Sequence, residues 1–526
     1  MRIWVATTVL LISGVSPAIA QNETAASGHV GHTDRSAPAS AMLLDGYGSG
    51  GFPVTTAVPQ AQAYFDNGMQ LAHAFAHEAG VAAMREARRL DPGCAMCVWG
   101  EAWADGPTIN FGKEGKELKA LAKLARKADR MARQNGNALE RQLTAALVQR
   151  YRQGGGGKAG DLQFAIAMQQ ISEANPTSDA LGTIAADAWL QAPAPDDAAG
   201  AMNARRSMAM LEKILARNPE YSPAIHFYIH AAEWVDEPRR AEPFADRLAK
   251  LAPKASHLVH MPSHTFYWVG RYREAGLTNR KAVELGIAQA KAMSSPPPEG
   301  VFGLPYHSHN VVFGLGGALM AGDGETALWL ARPLVESAGK RGEASAYSQA
   351  LAGGGYVAMA LHADPAELLA VPEPKLPILK GMWHYARGEA RYRKGDAAGL
   401  ATELAAIVPS KLVKTKENSW EWAGNRSLEV ARAVLSGRIS ELAGDRAKAA
   451  IAYDEAARLQ DDKDYRVAAD PPLWWYPVAR DAARARLAAG DLAGARKSAE
   501  AALRLRPLDP GAVAVLATLD SPVAAR

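Results

Sequence analysis

Cysteine is almost absent from this chain of 526 residues, in which only two occur. Two cysteines exclude a small scaffold that depends on many disulfides. Aromatic residues make up only 7%, and the formal net charge is only +4, so composition gives no case for nucleic acid or an anionic membrane as a partner. After the N-terminal segment no run of about 20 apolar residues occurs, so we expect no membrane span. With 48% hydrophobic residues, the chain can nevertheless form a large core.

The N-terminus has the pattern of an export signal. A basic start precedes an apolar run over residues 3–15, and Ala18-Ile19-Ala20 supplies the small residues that signal peptidase requires. We therefore expect residues 1–20 to be removed by cleavage after Ala20, which predicts a periplasmic or secreted protein. Residues 21–59 are rich in Ala, Ser, Gly and Thr and are expected to form a flexible tether. The folded part is then residues 60–526.

Most of the remaining chain repeats a helical pattern. Glycine followed by Asp or Arg recurs, with Ala about five residues later, as at Gly490-Asp491 and Ala495. Pro219 and Pro253 take the same place in successive units, which gives a period of 34 residues. One helix pair of this length cannot bury its apolar face alone, so we expect a stack of pairs around one continuous core. In this register the units fall at about 61–94, 222–255, 256–289, 308–341, 381–414, 430–463 and 476–509.

The pattern resembles the tetratricopeptide repeat (TPR), a unit of two antiparallel helices. Longer motifs, at Asp91–Ala102, His257–His264 and Pro471–Val478, are similar to those of a family of exported bacterial TPR proteins. The resemblance runs from about residue 43 to the C-terminus. It implies an all-α fold, a TPR-like right-handed superhelix of antiparallel helix pairs, and it implies no particular reaction.

Histidines are concentrated in one part of the chain, with seven of the 13 between His226 and His309. Those that share a helix face are spaced three or four residues apart. In the 34-residue frame, two histidines of one unit occupy the same positions as two histidines of the next unit. We therefore expect the two helix faces that carry them to be neighbours. The resemblance implies that these positions line the concave groove of the superhelix. The predicted metal ligands are His226, His230, His257, His260, His264 and His309.

Imidazole is the commonest neutral nitrogen ligand of first-row transition metals, and three or four such groups with a carboxylate suffice for a site. Glu233, on the face of His230, is the candidate carboxylate, as a ligand or a general base. Copper and zinc are favoured over iron, because the donors are imidazoles and no thiolate pair is near. Resembling proteins carry a second histidine three residues after the place of His309, where this chain has Val312, and this argues against a second metal on that side.

Two functions follow from this reading. The first is a periplasmic TPR protein whose His/Glu-rich groove binds a transition metal, as a metal-dependent oxidase or hydrolase. The alternative is a non-catalytic TPR scaffold that binds a small molecule, a peptide or a protein partner in the groove. A peptide clamp prefers Lys, Arg and Asn at these places, whereas this groove has His and Glu. The sequence does not decide whether the protein is an enzyme.

The cysteine pair forms a Cys94-x-x-Cys97 motif that is followed by Val98 rather than by His, which excludes haem c attachment. In an oxidising compartment we expect a local disulfide or paired thiols. The alternative is a metal site made of His77 and the two sulfurs. Trp234 and Trp268 lie 34 residues apart, so we expect them to pack between repeats.

Overall fold

The structure is a computed structural model, and it describes residues 42–152, 158–293 and 297–521. These residues form α-helices, short 3-10 turns and connecting loops, and no strand occurs among them. The predicted export signal and residues 21–41 of the predicted tether lie outside the described residues. Across the described ranges, no helix combines the length and apolarity that a bilayer crossing requires.

The first half of the chain runs through thirteen helices within the described ranges. A 3-10 turn at Pro238–Arg240 stands between the ninth and the tenth. The helices are α1 (Pro59–His73), α2 (His77–Leu90), α3 (Ala95–Ala104), α4 (Gly115–Asn135), α5 (Ala138–Arg150), α6 (Lys158–Ala174), α7 (Asp179–Gln191), α8 (Asp197–Arg217), α9 (Ser222–Trp234), α10 (Glu242–Leu251), α11 (Ser256–His260), α12 (Pro262–Val269) and α13 (Tyr272–Ala292).

The second half continues in the same way after a 3-10 turn at Gly300–Gly303. Its helices are α14 (His307–Ala321), α15 (Gly324–Gly339), α16 (Ala346–His362), α17 (Pro365–Leu369), α18 (Pro377–Arg393), α19 (Ala397–Ala406), α20 (Ser419–Leu442), α21 (Arg446–Gln460), α22 (Lys463–Arg466), α23 (Ala479–Ala489), α24 (Leu492–Leu505) and α25 (Pro510–Asp520). The helix bounds agree with the helix pairs expected in the seven sequence units.

Successive helices form antiparallel pairs that stack along a right-handed superhelix. The first helices of neighbouring pairs contact one another, as α1, α3 and α5 do near the N-terminus and α12, α14 and α16 do in the middle. They form the inner layer, while second helices such as α4 and α13 pack outside it. The predicted all-α fold of stacked helix pairs is confirmed.

The recurring Gly-Asp dipeptide marks the turn inside each pair. Gly322 has a φ of 69° and ends α14, because a left-handed residue terminates a helix and glycine adopts this conformation without strain. Asp323 then caps α15 by accepting a hydrogen bond from the Thr326 nitrogen at 3.0 Å. Gly490 and Asp491 repeat the arrangement between α23 and α24. The sequence signal of the repeat is therefore a helix stop joined to a helix start.

The N-terminal segment before α1 lies against the helices in its described part. The Leu44 nitrogen donates to Asn67 Oδ1 at 2.9 Å, and the Ser49 nitrogen donates to Ser222 Oγ at 2.8 Å. The Thr55 nitrogen donates to a carboxylate oxygen of Glu140 at 2.6 Å. Residues 42–58, which composition assigned to a flexible tether, thus contact several repeats through their backbone. Composition did not reveal this because the partners lie far away in the sequence.

Residues 467–478 cross the inner layer near its middle. The carbonyl oxygen of Trp475 accepts a hydrogen bond from the hydroxyl of Tyr267 on α12 at 3.1 Å. Arg506 donates to the same hydroxyl at 3.1 Å. The segment is buried along most of its length, from Ala469 to Val478. The C-terminal repeats therefore meet the histidine-bearing helices, and the inner layer is filled at this point rather than open as a groove.

Candidate metal centre

Four consecutive inner-layer helices carry the predicted ligands, and the structure brings all six together. Five have less than a tenth of their surface exposed, and the last, on α14, is partly exposed. They form two sets of three, and within each set the potential ligand atoms lie within 4.8 Å of one another. Triad A is His226 and His230 of α9 with His257 of α11, and triad B is His260 of α11, His264 of α12 and His309 of α14.

In triad A ring nitrogens converge, and two of them have no hydrogen-bond partner among the described residues. The Nε2 atoms of His226 and His257 are 3.1 Å apart. The Nε2 of His230 and the Nδ1 of His257 are buried without a hydrogen-bond partner. Such atoms give up the hydrogen bonds that they make with water, which is unfavourable unless a bound species replaces them. Triad A therefore has the donor set and the unsatisfied atoms expected of a metal pocket.

The backbone determines which nitrogen of His226 can bind a metal. Its Nδ1 lies 2.8 Å from the carbonyl oxygen of His73 in α1. Because a carbonyl oxygen can only accept, Nδ1 carries the proton, and the neutral ring presents a lone pair at Nε2. Burial lowers the pKa of His226 to about 3, so the ring is neutral at physiological pH.

A side chain performs the same task in triad B. His260 Nδ1 lies 2.6 Å from Oδ1 of Asn279 on α13. The amide nitrogen of Asn279 donates to the Ala275 carbonyl at 2.8 Å, which fixes its oxygen toward His260. Nδ1 of His260 therefore donates, and its Nε2 is free to face His264, whose Nε2 is 3.0 Å away. Pro262, which has no N–H, separates α11 from α12 between these two histidines without moving them off one face.

The ring positions suit one ion in each triad, which differs from the single metal expected from the sequence because the six histidines divide into two sets. Ring centres in triad A are 5.0, 5.1 and 6.3 Å apart, and those in triad B are 4.8, 4.8 and 5.6 Å apart. Each set thus lies on a circle with a radius of about 3 Å, roughly the distance from a metal to the centre of an imidazole bound at about 2.0–2.1 Å. His230 and His264 are 5.4 Å apart across the two sets. The two pockets therefore adjoin.

Two carboxylates contact the ring nitrogen of His264 that points away from triad B. Its Nδ1 lies 2.9 and 3.0 Å from the two oxygens of Glu233 and 3.3 Å from Asp470 Oδ2. Trp268 Nε1 donates to Glu233 at 3.1 Å. In metal sites, a carboxylate placed in this way on the outer nitrogen of a histidine orients the ring and raises its basicity. Glu233, expected as a ligand or general base, thus lies outside both triads and contacts the outer nitrogen of one ligand.

Formal charge is concentrated at this end of the site. Burial opposes a charge on His264, but the charge of Glu233 and the hydrogen bond to Asp470 outweigh it and raise the pKa of His264 to about 10. Burial and the nearby Asp470 raise the pKa of Glu233 to about 8. Burial also opposes ionisation of Asp470, yet hydrogen bonds from His264 and Glu233 keep its pKa below the usual range. Burial lowers the pKa of the other five histidines, which are neutral.

Two aromatic rings cover triad A. The rings of Phe75 and Tyr306 lie 4.6 and 4.5 Å from that of His257. Both residues have positive φ values, 56° and 63°, a conformation that is uncommon for residues other than glycine and costs free energy. Surrounding contacts must therefore hold both rings in place. The partly exposed His309 makes triad B the more accessible pocket.

The other candidates occupy different roles. Cys94 and Cys97 form a disulfide whose sulfurs are buried, so the alternative site made of His77 and two thiolates is not formed. His77 stacks on Phe75 at 5.1 Å instead. His307 belongs to neither triad and lies beside Gly286 of α13, where a Cβ atom would meet its Nδ1 at 2.7 Å.

Sequence reasoning missed the groups that position the ligands. Asp470 lies 206 residues after His264, and a repeat period says nothing about such a contact. Its one signal is that it directly precedes the Pro471–Val478 motif. Asn279 lies in the second helix of its unit, where the resemblance directs no attention. The carbonyl of His73 carries no side-chain signal at all.

The chain was compared with family models, curated proteins and solved structures. No family model matches the chain, and no curated protein is significantly similar to it. Among solved structures, a human IFIT1 dimer with m7Gppp-AAAA is 13% identical, with a TM-score of 0.31 over 78% of this chain and 92% of that one. The APC/C hetero-tetramer Cut9-Hcn1 is 11% identical, with a TM-score of 0.26 over 88% and 90%. Yeast Tom70 is also 11% identical, with a TM-score of 0.22 over 88% of each chain.

The chain has a TPR-like fold. This statement rests on the helix pairs described above. At such low sequence identity to the solved structures, similarity in fold says nothing about what the protein binds or which reaction it catalyses.

Proposed function

We propose that this protein is an exported TPR-like scaffold that binds transition-metal ions between its six clustered histidines and acts through them as an oxidase or a hydrolase. The observation that carries the proposal is the convergence of ring nitrogens in two triads. In each triad a hydrogen bond from Nδ1 turns one Nε2 toward a neighbouring imidazole, at His226 toward His257 in triad A and at His260 toward His264 in triad B. Buried histidines that merely fill a core have no need of such a shared orientation.

Each triad supplies three protein ligands and leaves a coordination position for water or substrate, as in catalytic zinc sites. A metal there would polarise a bound group or lower the pKa of a bound water. The chain's own contribution is to present five neutral imidazoles beside the protonated His264 and to exclude bulk water. Glu233 and Asp470 fix the ring of His264, and an ion on its Nε2 replaces a proton, as metal binding to histidine generally does.

The donor set favours copper or zinc over iron. Non-haem iron oxygenases use two histidines and a carboxylate that binds the metal directly. Here the carboxylates of Glu233 and Asp470 contact the outer nitrogen of His264. Three imidazoles without a carboxylate suit zinc(II) and copper, which lie high in the affinity order for nitrogen ligands.

The alternative function, a scaffold that binds a peptide or protein partner, rests on the repeat fold. At the histidines, residues 467–478 and the ring of Phe75 fill the inner layer. A peptide would therefore have to bind elsewhere on the superhelix. The two functions are separated by whether the histidines hold metal.

Elemental analysis tests the proposal. The protein is expressed with its N-terminal segment, loaded with copper or zinc, and dialysed. We expect two ions per chain, one in His230→Ala, one in His309→Ala, and none in the double variant. His384→Ala is the matched control, because His384 also donates to a glutamate, Glu403 at 2.8 Å, but lies outside both triads. Equal metal in all five proteins, or no retained metal, would contradict the proposal.

The reaction class is tested on the same samples. An oxidase would consume oxygen when the copper-loaded protein is given a reductant, and a hydrolase would cleave activated esters or peptides when loaded with zinc. Either activity should disappear in the double variant His230→Ala/His309→Ala, which holds no metal, and persist in His384→Ala. Activity that is equal in both variants would remove the histidines from the reaction.

A further inference from the structure

Helix α4, in the outer layer, carries a row of basic side chains. Except for one adjacent pair, Arg126 and Lys127, they are spaced three or four residues apart, so they share one face of the helix. All of them are exposed. The row consists of Lys116, Lys119, Lys123, Arg126, Lys127 and Arg130.

The row has no counter-charge within the described part of the chain. Of the basic residues in α4, Arg133 is paired, with Asp129 at 2.9 Å, and no carboxylate lies within 4.0 Å of the six in the row. Exposed cations elsewhere are commonly paired, as Arg240 is with both Glu212 and Glu237. An unpaired row on one face is therefore a local property of this helix.

The average charge of the chain conceals this concentration. Helix α4 contains seven basic and two acidic residues, which gives a net charge of +5, whereas the whole chain has +4. The remaining 505 residues therefore carry −1. The small net charge of the whole chain therefore does not exclude an anionic partner for this face.

The opposite side of α4 holds the row in place. Leu118, Leu121, Ala125 and Ala128 are buried, and they pack α4 against α3 and α5. From Lys116 to Arg130 the helix extends by about 21 Å at about 1.5 Å per residue. The charges thus form a straight, pre-ordered array rather than a flexible basic tail.

We propose that this face of α4 docks the protein on an anionic phospholipid surface. The face is straight, lies in the outer layer and displays mostly lysine, which suits a diffuse array of phosphates rather than one bidentate contact. It carries no aromatic side chain on which a nucleic-acid base could stack. Each basic residue near such a surface contributes about fivefold to partitioning, so six act strongly together.

Vesicle sedimentation with the full chain tests the proposal. The probes are phosphatidylcholine vesicles with and without an equal part of phosphatidylglycerol. We expect binding to the anionic vesicles only, and its loss at about 0.5 M salt, where exposed charges are screened. The row variant Lys119→Glu/Lys123→Glu/Lys127→Glu should bind at least about 100-fold more weakly, from about fivefold for each lysine lost.

The control variant is Lys291→Glu/Lys375→Glu/Lys497→Glu. It changes the net charge equally at three exposed lysines that have no ion pair in the described residues. It should bind within about fivefold of the wild type. The proposal would be overturned if both variants lost binding equally or if the wild type did not bind the anionic vesicles. It would also be overturned if the wild type preferred duplex DNA to the anionic vesicles and the row variant lost this DNA binding. Metal content and circular dichroism of both variants should match the wild type, so the docking proposal can fail without the metal proposal.

Discussion

Replacing Asn279 by leucine should weaken one metal pocket and leave the other unchanged. Asn279 is fully buried, and its Oδ1 accepts the hydrogen bond of His260 Nδ1 at 2.6 Å. Leucine has nearly the same volume but accepts no hydrogen bond. The Nδ1–H of His260 would then be buried with only Ser263 Oγ, at 3.5 Å, in reach. A buried donor without a partner costs about 1–3 kcal/mol, so the ring is expected to rotate or to move its proton to Nε2.

Either response removes the Nε2 lone pair of His260 from triad B. Loss of a group that orients a metal ligand typically lowers metal affinity by about 10–100-fold, which is about 1.4–2.7 kcal/mol. Competition titration with a chromophoric chelator should resolve two binding events in the wild type. In Asn279→Leu one event should weaken by that factor, and the other, in triad A, should keep its affinity.

Asn425→Leu is the matched control. Asn425 is also a buried helical asparagine, and its amide donates to the carbonyl four residues earlier at 2.9 Å. Its Oδ1 accepts from the Ser410 nitrogen at 2.7 Å, far from the histidines. This variant should lose similar stability and keep both affinities. The reasoning would be refuted if Asn279→Leu left both affinities intact, or if Asn425→Leu weakened metal binding as much.

Three further predictions concern stability. Metal at about 1,000 times its Kd should raise the free energy of unfolding by about 4 kcal/mol per pocket. The Tm should rise with it and fall again when a chelator is added. A Tm that does not change on addition of metal would contradict binding to the folded state. Gly354→Ala should lower the free energy of unfolding by about 1–3 kcal/mol, because its Cβ would lie 2.0 Å from the buried ring of Trp475. Gly339→Ala is the control and should not destabilise the protein, because a Cβ at this position would face open space. Equal denaturation midpoints for the two variants would contradict this packing. Burial raises the pKa of Asp187 to about 6, above its ordinary 3.8. The favourable contribution of the protonated carboxyl group to the free energy of unfolding is therefore complete below pH 3.8 and is lost as the pH rises through about 6. The free energy of unfolding of Asp187→Asn, relative to that of the wild type, should therefore rise by about 1–3 kcal/mol from pH 4 to pH 8. Denaturant titrations at the two pH values measure this change. The same difference between variant and wild type at both pH values would contradict the prediction.

The sequence predicted the repeat architecture because its signals are local. A glycine such as Gly490 ends one helix and the aspartate after it begins the next, so each pair is encoded within a few residues. The 34-residue frame also placed His226 beside the helix of His260, since equivalent positions on stacked pairs face the same way. Convergence of the six histidines could therefore be inferred without a structure.

The division into two triads could not be inferred in the same way. It depends on ring rotations that are fixed by distant groups, such as the His73 carbonyl and Asn279 Oδ1. Asp470 reaches the site only because residues 467–478 cross the inner layer, a contact between repeats that lie far apart in the chain. Glu233 was identified as part of the site, but its contact with His264 Nδ1 depends on how α9 packs against α12. Contacts between stacked units are thus predictable from the period, and contacts across the superhelix are not.

The most direct test of the central claim is a crystal structure of the copper- or zinc-loaded protein with anomalous scattering recorded at the metal edge. We expect two anomalous peaks per chain, one in each triad, each about 2.0–2.1 Å from three imidazole nitrogens. Peaks elsewhere, or His226 and His260 with the rings turned so that Nε2 faces away from the peak, would contradict it.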